Sequence, residues 1–483
     1  MKNLPRLLRT NNTSGFPNAL LSDLQFDKIL SSSTIAILQY PCKHSEITYR
    51  NEIFVLLDRE ENLARMQKLL SDLLTVERAL NLLKEAKHQL DRFYRQVSVY
   101  EAYVMSCESL AFMYDLGELF AEVATCFSSE EIKTRILRMK ESIQKIKKTL
   151  WKMSVGLLSF ADNNWITPDY DAVSELDNIA ACAKKLAFSV PTKKKQNVKV
   201  NRFLSDVICR LYTKDVDEIE SEIAKFSDVD FYESTSYIPE IKFYLEIYAL
   251  IQKAKNIGVP HTTAKVAKGP IYTAKKLYDV SLLAKDCDSI VPNDATFNEK
   301  EPFCFLIGAN GGGKTTYLRA VGINLVLFLA GCPVFADEAE IYPFDTVMSH
   351  FPRDDRFDGI GRLDEECLRT DKMLELAEGK TAFLLFNETF SGTDDKRGFK
   401  LLSELVIRIR AKLYFGLYVT HFHEVMSLDY PVLSAEVDSI DENKRTFRIV
   451  RTKGSISSYA ADILKKYGLD KDSLEARRNR DGN

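Results

Sequence analysis

The stretch FCFLIGANGGGKTTYLRA at residues 303–320 constrains the fold of this chain more than any other part of its sequence. It contains the pattern G-x-x-x-x-G-K-T, which begins at Gly308 and ends with Lys314 and Thr315. An apolar run precedes the pattern and a helical segment follows it, which is the context in which such a loop cradles phosphates. Backbone N–H groups can then turn inward, and the helix adds the positive end of its dipole. The sequence therefore predicts a strand, a phosphate-binding loop and a helix in succession.

The residue types in this loop indicate nucleotide binding. Lys314 is expected to neutralise the β- and γ-phosphates, and the hydroxyl of Thr315 to ligate Mg²⁺. A glycine-rich turn that binds nothing is the alternative, but strand, motif and helix all agree with a phosphate site. The predicted cofactors are ATP and Mg²⁺, and the predicted ATP-binding residues are Gly308, Asn310, Gly311, Gly312, Gly313, Lys314, Thr315 and Thr316.

A second apolar run, AFLLFNE at residues 382–388, is expected to supply the metal and water side of the same site. Nucleotide-hydrolysing proteins usually carry an aspartate where this chain has Asn387, which keeps the shape and one carbonyl acceptor but removes a negative charge. Asn387 and Thr315 are the candidate metal ligands, and Glu388 is the candidate base for an attacking water. His421, at the tip of a third apolar run, is a second candidate catalytic residue, with a structural histidine as the alternative. We expect ATP binding with weakened Mg²⁺ affinity and slow hydrolysis.

The composition excludes several classes of protein. At 483 residues the chain is too long for one ordinary core, so a multidomain fold is expected. With 45% hydrophobic residues and a net charge of −3, it is typical of a globular protein without a strong overall attraction for nucleic acid. Nine cysteines without a CxxC pattern favour a reducing, cytoplasmic location without disulfides or zinc. No segment is long and apolar enough to predict a membrane span.

Long helices are predicted for residues 21–265. Leucine and methionine recur at helical spacing through residues 60–95, and SSEE at 128–131 predicts a capping box with Ser128 as the cap and Glu131 three residues on. A strict heptad seam follows, which predicts a helix packed within a bundle more strongly than a free coiled coil. The seam consists of Ile132, Ile136, Met139, Ile143, Ile146, Leu150 and Met153.

A basic run interrupts this helical region at residues 190–202. A solvated loop is the default interpretation of such a run, and contact with nucleic-acid phosphates is the alternative. No aromatic residues are interleaved to stack on bases, which weakens the second interpretation. The candidate nucleic-acid residues are Lys193, Lys194, Lys195, Lys199 and Arg202.

The pattern changes after about residue 285, where short apolar runs alternate with glycine-rich turns and helical segments. This alternation predicts a parallel sheet with crossover helices. The predicted organisation is a polar, loose arm at 1–20, a helical region at 21–265, an α/β nucleotide-binding domain at 266–475 and a tail at 476–483.

Several motifs together resemble those of the MutS family of DNA mismatch-repair ATPases, which belong to the ABC-type ATPase class. The sequence GANGGGKTTYLR is similar to the family's phosphate loop, and Asn310 is kept. The segments IVPND (290–294), GCPVFADEAEIYPFD (331–345), VTHFHEV (419–425) and GSISSYAADILKKYGL (454–469) resemble family segments in the same order. The resemblance implies a P-loop ATPase domain in a nucleotide-gated dimer, with long helices that form a lever to a DNA clamp.

The chain also departs from the family pattern. The signature loop of the family, which faces the nucleotide of the partner subunit, aligns with GRLDEE at 361–366, where Gly361 and Arg362 replace a Ser/Thr pair and Glu366 is kept. Ile290 replaces an aromatic residue expected to stack on adenine. Because the sequence begins near the core and ends soon after Leu469, we expect no mismatch-recognition domain, connector domain or dimerisation appendage of the family type. The resemblance makes Gly361, Arg362, Ser391, Gly392 and Thr393 the candidate dimer-interface residues.

Two functions therefore stand as alternatives. The first is a MutS-like dimeric ATPase, expected to be a homodimer, that clamps or remodels DNA without recognising mismatches. The second is an ATP-gated protein scaffold with little hydrolysis and no DNA binding, which Asn387 and the altered signature loop leave open. An unrelated P-loop kinase is disfavoured because no separate acceptor-site motif is visible.

Overall fold

The structure is a computed structural model that describes residues 5–8, 15–153, 155–160, 163–168, 201–284, 290–352, 362–392, 394–437 and 445–452. Within these ranges the chain is mainly helical up to about residue 256, and strands alternate with helices beyond it. The predicted order, a helical region followed by an α/β region, is therefore confirmed.

The α-helices of the described residues are α1 (Asn18–Asp23), α2 (Ser32–Leu38), α3 (His44–Leu57), α4 (Glu60–Lys84), α5 (Gln89–Ala111), α6 (Glu118–Phe127), α7 (Glu130–Lys152), α8 (Arg202–Leu211), α9 (Thr213–Ala224), α10 (Tyr232–Thr235), α11 (Ile238–Asn256), α12 (Lys314–Leu329), α13 (Arg362–Ala377) and α14 (Asp395–Ala411). Short 3₁₀ turns occupy Phe26–Lys28, Val280–Ala284 and His423–Ser427.

The strands of the described residues are β1 (Val155–Phe160), β2 (Asn163–Pro168), β3 (Lys265–Val266), β4 (Tyr272–Leu277), β5 (Asn293–Phe297), β6 (Phe303–Ile307), β7 (Glu338–Ile341), β8 (Thr346–His350), β9 (Ala382–Asn387), β10 (Phe415–Val419), β11 (Val432–Val437) and β12 (Arg445–Arg451). They form a hairpin of β1 and β2, a six-stranded sheet and a four-stranded sheet.

The chain divides into two compact units. The helical unit comprises Met1–Leu8 and Asp58–Lys242, and the sheet unit comprises Arg9–Leu57 and Phe243–Asn483. The sheet unit thus includes an early helical segment as well as the α/β region. The domain boundaries predicted from the sequence, after residues 20, 265 and 475, stay a prediction.

The heptad positions of α7 face the interior of the helical unit. All seven seam residues are at most 9% exposed, and Met139 and Ile146 are fully buried. α7 packs against α5 and α9, which provide the apolar surface that the seam requires. Burial of each such side chain stabilises the unit by about 1.5–3 kcal/mol. The predicted helix within a bundle is therefore confirmed.

The N-terminal cap of α7 differs from the prediction by one residue. The cap is Ser129, whose side chain accepts a hydrogen bond from the backbone N–H of Ile132, whereas the sequence predicts Ser128. Ser128 is instead the C-terminal cap of α6, whose last helical residue is Phe127. Both serines suit a cap, and the length of the preceding helix decides between them.

The helical pattern of residues 60–95 belongs to two helices rather than one. α4 ends at Lys84, and α5 begins at Gln89 behind a new cap, in which Nδ1 of His88 accepts a hydrogen bond from Asp91 N at 3.1 Å. Neither glycine nor proline marks this break in the sequence. The spacing of the leucines continues across it because both helices bury one face in the same unit.

Residues 5–8 are packed, although the sequence predicts a loose polar arm for the first 20 residues. Leu7 and Leu8 are 0% and 2% exposed. The backbone N–H of Leu7 donates to Oε2 of Glu240 at 2.7 Å, within the helical unit. Residues 5–8 are thus held by two buried leucines and by the hydrogen bond to Glu240.

The six-stranded sheet has the order β12-β11-β6-β10-β9-β8. All neighbours pair in parallel except β12, which is antiparallel to β11. β6, β9 and β10 are buried along their whole length, as expected for strands covered on both faces. The predicted parallel sheet is confirmed, and its topology brings the carboxyl ends of β6, β9 and β10 to one edge.

Helix α12 forms much of the interior of the sheet unit. Every residue from Val321 to Leu329 is buried, and the helix packs against β9 and β10. A helix that is apolar on all sides is stable in water only when protein surrounds it. Lys314, the first residue of this helix, directly follows the phosphate loop. The loop is therefore attached to a helix that is buried on all sides over most of its length.

Two expected absences can be examined in the part of the chain that the structure describes. No helix there combines the length and apolar character needed to cross a bilayer. The cysteines there are all free thiols, at Cys42, Cys107, Cys126, Cys209, Cys304, Cys332 and Cys367.

Candidate functional site

The predicted phosphate loop occupies residues 308–313, between the end of β6 and the start of α12. Gly311 has φ 76° and Gly313, the N-cap of α12, has φ 90°. Both values lie in the left-handed region, where a side chain is unfavourable, so the glycines permit the turn that brings the chain into α12. The predicted succession of strand, glycine-rich loop and helix is present.

Strand β11 closely approaches the outside of this loop. A Cβ atom added to Gly308 or Gly312 would lie 3.0 Å from the Cβ atom of Ala435. A Cβ atom at this distance would require Ala435 to shift by a few tenths of an ångström, so glycine relieves crowding at both loop positions. The glycines therefore serve two purposes, since they permit the turn and also allow β11 to pack beside it.

The ammonium group of Lys314 is held by the loop itself. Its Nζ donates to the carbonyl oxygens of Gly308 at 2.8 Å and Ala309 at 3.3 Å, and to Oδ1 of Asn310 at 3.3 Å. Lys314 is 4% exposed. Burial lowers its pKa from the ordinary value, while the nearby Glu388 acts in the opposite direction. A buried cation with these neutral partners favours an anion close to it.

The phosphate loop and the end of β9 meet through their side chains. Oγ1 of Thr315 donates a hydrogen bond to Oδ1 of Asn387 at 3.2 Å, and Asn387 is 9% exposed. Both residues are candidate metal ligands, and the fold places their oxygen atoms side by side. This contact follows from the parallel topology, because the first turn of α12 lies at the same sheet edge as the end of β9.

The residues after Asn387 form a tight turn of unusual backbone conformation. Glu388 has φ 50° and Phe390 has φ 65°, although neither is glycine. Such conformations cost about 1–3 kcal/mol each and persist only where surrounding contacts enforce them. The backbone N–H of Glu388 donates to the carbonyl of Val419 on β10 at 2.8 Å. The half-buried side chain of Glu388 is thus presented from a strained turn at the sheet edge.

Further contacts hold the same turn from neighbouring elements. Oγ1 of Thr389 lies 2.9 Å from Nδ1 of His350 at the end of β8. The hydroxyl of Tyr418 donates to the carbonyl of Thr389 at 2.7 Å. The backbone N–H of Phe390 donates to Oε2 of Glu366 at 2.8 Å. Among these supporting residues only Glu366 carries a sequence signal, as the kept residue of GRLDEE, whereas His350, Thr389 and Tyr418 come together because the ends of β8, β9 and β10 meet.

Two histidines lie beyond the end of β10. His421 has a 41% exposed side chain, and its Nε2 is 3.9 Å from Oδ1 of Asp395. His423 was not among the predicted site residues. Burial lowers the pKa of His423, Glu424 opposes this shift, and His421 and Lys314 lower the pKa further. The charge of Lys314 thus acts on the pKa of His423, the second histidine of the motif VTHFHEV.

The remaining predicted residues are distributed as follows. Arg202 is the exposed first residue of α8, and Arg362 is the first residue of α13. Ser391 is half-buried and Gly392 is exposed, just after the turn at the end of β9. The other candidates lie outside the described residues, namely Lys193, Lys194, Lys195, Lys199, Gly361 and Thr393.

The side chains at the sheet edge suit a magnesium ion only in company with phosphate oxygens. Thr315 and Asn387 offer neutral oxygen donors, which are hard ligands of the type that Mg²⁺ accepts. Within the described residues, no group of three or more His, Cys, Asp and Glu side chains could hold a metal by itself. The donor set therefore fits a metal that phosphate oxygens would also coordinate.

Comparisons with known proteins give a consistent result. Residues 304–477 match the family model "MutS domain V". The "DNA mismatch repair protein MSH2" of Saccharomyces cerevisiae is 33% identical over 147 residues, 30% of this chain and 15% of that protein. The MSH2 protein of Zea mays is 31% identical over 173 residues, 33% of this chain and 18% of that protein. The "DNA mismatch repair protein MutS" of Fusobacterium nucleatum is 24% identical over 255 residues, 49% of this chain and 28% of that protein.

These alignments span less than a third of each relative, so they concern one region and not whole proteins. The matched region contains the strand β6, the phosphate loop, the turn after β9 and both histidines after β10. The sequence motifs and the family-model match agree on that region. Residues 304–477 of the chain are therefore similar to domain V of the MutS family.

Proposed function

We propose that the chain binds ATP with Mg²⁺ at residues 308–315 and hydrolyses it slowly, as an ABC-type P-loop ATPase. The observation that carries the proposal is the 3.2 Å contact between Oγ1 of Thr315 and Oδ1 of Asn387. It joins a glycine-rich loop, which can hold phosphates, to the end of a second strand, which can hold a metal and a water. Neither element alone favours hydrolysis over simple anion binding.

The site residues have distinct roles in the proposed reaction. The backbone N–H groups of the loop and the start of α12 bind the β- and γ-phosphates, and Lys314 adds a buried positive charge. Thr315 and Asn387 hold Mg²⁺, which when bound neutralises charge on the phosphate oxygens. Glu388 orients a water molecule and accepts its proton. His421 remains a second candidate for contact with the γ-phosphate.

Asn387 is the reason to expect slow turnover. An aspartate at this position would add a full negative charge beside the metal, whereas the amide contributes only a carbonyl dipole. Loss of one such partner weakens metal binding or activity by about 10–100-fold. Phosphate release measured with purified protein tests this expectation. A fast rate without DNA would contradict the role given to Asn387.

We further propose that two copies of the chain associate when ATP is bound, and that the assembly binds DNA in the cytoplasm. The proposal rests on the family and on its mismatch-repair relatives, with Arg362, Ser391 and Gly392 as the interface residues within the described part. Sedimentation without nucleotide, with ADP and with ATP tests it. We expect a dimer with ATP and a monomer in its absence, and an unchanged mass in all three would contradict the nucleotide-gated dimer.

Asn387 also favours a second candidate function, an ATP-gated scaffold that binds a protein partner and hydrolyses little. Titration with duplex, branched and single-stranded DNA over a series of salt concentrations separates the two. Affinity that falls steeply with salt supports DNA binding, because phosphate contacts release counterions. Absence of binding, or affinity independent of salt, would support the scaffold.

A further inference from the structure

We infer that Glu366 is the positioning residue for the candidate base Glu388, and that it acts by holding the backbone of Phe390. The inference rests on the proposed hydrolysis, since it assigns a role to Glu366 in that reaction. Its basis is the geometry of the turn at the end of β9.

The contact itself is short and buried. Glu366 lies in the first turns of α13 and is 3% exposed. Its Oε2 accepts a hydrogen bond from the backbone N–H of Phe390 at 2.8 Å. A carboxyl oxygen paired with a backbone N–H is among the stronger hydrogen bonds in proteins, and burial protects it from competition by water.

The turn that receives this contact needs external support. Glu388 and Phe390 both have positive φ, and Phe390 is bulky and 2% exposed. Positive φ at a large residue is rare and reverts to an extended or helical conformation unless neighbours prevent it. The contacts of Glu388 and Thr389 come from the strands β8 and β10, so they fix the first part of the turn. Glu366, on helix α13, fixes the last part of the turn at Phe390.

The hydrogen bond from Phe390 to Glu366 connects the turn after β9 with the start of α13, two segments that are separate in the sequence. α13 begins at Arg362, the candidate partner-facing residue, and Glu366 follows one helical turn later. A displacement of the start of α13 therefore acts on Phe390, and through two peptide units on Glu388. Contact between Arg362 and a second copy of the chain would then change the position of the candidate base.

Kinetic measurements on the full chain test the inference. Glu366→Ala removes the acceptor, and we expect kcat for ATP hydrolysis to fall about 100-fold, the effect of a displacement near 1 Å. The Kd for ATP should change by less than about 3-fold, because the phosphate loop is untouched. Glu366→Gln keeps an acceptor oxygen and should retain most of the activity. Glu375→Ala, an exposed acid on the same helix, is the matched control and should behave as the parent.

A second variant covers the case in which Glu366→Ala does not fold. Glu366→Asp keeps the carboxyl group but is one methylene shorter, so the oxygen no longer reaches Phe390 N. We expect the same fall in kcat with unchanged ATP affinity. Unchanged kcat in a folded variant, or kcat and affinity that fall together, would overturn the positioning role.

Hydrogen exchange at the Phe390 amide tests the contact without any activity. We expect exchange at least about 10-fold faster in Glu366→Asp than in the parent, with the Glu388 amide unaffected, because its acceptor is Val419. A parent protein that does not hydrolyse ATP would contradict the proposed hydrolysis. Hydrogen exchange at the Phe390 amide would then still show whether Glu366 makes the contact. An active parent with unchanged Phe390 exchange in the variant would contradict the inference alone.

Discussion

The phosphate loop and the turn after β9 lie at the same sheet edge, but the chain builds them in different ways. The loop uses glycines at its left-handed positions, including Gly311 and Gly313. The turn uses Glu388 and Phe390 at such positions, where the conformation is unfavourable for both residues. Local sequence is sufficient for the loop, whereas the turn depends on contacts from β8, β10 and α13.

The two regions also differ in their agreement with the family pattern. The loop keeps the glycines, the lysine and the hydroxyl residue that phosphate binding requires. The end of β9 keeps the acid at Glu388 but has an amide at Asn387. In the proposed function, nucleotide binding would therefore rest on local sequence alone, whereas hydrolysis would depend on the strained turn and on a metal site that lacks one negative charge.

The largest expected effect is a loss of ATP hydrolysis without a loss of ATP binding. Glu388→Gln should lower kcat for ATP hydrolysis by about 100–10,000-fold, the usual contribution of a general base. ATP affinity should stay close to that of the parent, because the loop is intact. Single-turnover phosphate release and an ATP titration provide the two values. The exposed neighbour variant Glu424→Gln is the control, and equal losses in both variants would show that general charge, not Glu388, matters.

A substitution that should strengthen Mg²⁺ binding tests the role of Asn387. Asn387→Asp restores a negative charge at 3.2 Å from Oγ1 of Thr315. The Mg²⁺ concentration for half-maximal phosphate release should fall by about 10–100-fold. Asn387→Ala, which removes the carbonyl oxygen, should shift that concentration in the opposite direction. If the aspartate variant requires as much Mg²⁺ as the parent, the metal does not contact this position.

A stability measurement tests the strain in the turn. Since Glu388 has φ 50°, Glu388→Gly should be more stable than Glu388→Ala by about 1 kcal/mol. At Lys372, an exposed position inside α13, the order reverses, and Lys372→Gly should be less stable than Lys372→Ala by about 1 kcal/mol. Urea unfolding of the four variants gives both differences. The same order at both positions would mean that the turn is not left-handed in solution.

The smallest expected effect concerns pH. The pKa of His423 is lowered from the ordinary 6.5, mainly by burial, with Lys314 and His421 adding to the shift and Glu424 opposing it. The unfolded chain therefore takes up a proton at a pH where the folded chain does not. Stability contributed by neutral His423 is complete above about pH 6.5 and falls as the pH drops toward its folded pKa. His423→Gln should make the unfolding free energy less dependent on pH between 5 and 7, and an unchanged slope would contradict this assignment.

The fold and the phosphate loop were predictable because their signals are local. The alternation of apolar runs and helices gave the parallel sheet, and strand ends in such a sheet meet, which anticipated the contact of Thr315 with Asn387. The heptad seam of α7 likewise identified its buried face. These predictions use periodicity and residue type within a few positions of each other.

The missed features depend on distant parts of the chain. Nothing near Glu388 in the sequence indicates a left-handed turn, because the contacts that enforce it come from His350, Glu366 and Tyr418. The choice of Ser129 over Ser128 as a cap depends on where α6 ends. The packing of residues 5–8 depends on Glu240, more than 200 positions later. Such features appear only once the tertiary structure is known.

Equilibrium titration with ATP tests the central claim most directly. The parent and the exposed-lysine control Lys300→Ala should bind ATP with equal affinity, and Lys314→Ala should bind it at least about 100-fold more weakly, because it loses the buried cation at the phosphates. Circular dichroism of each variant verifies that it is folded. ATP binding by a folded Lys314→Ala variant with the affinity of the parent, or no binding by the parent, would contradict the account.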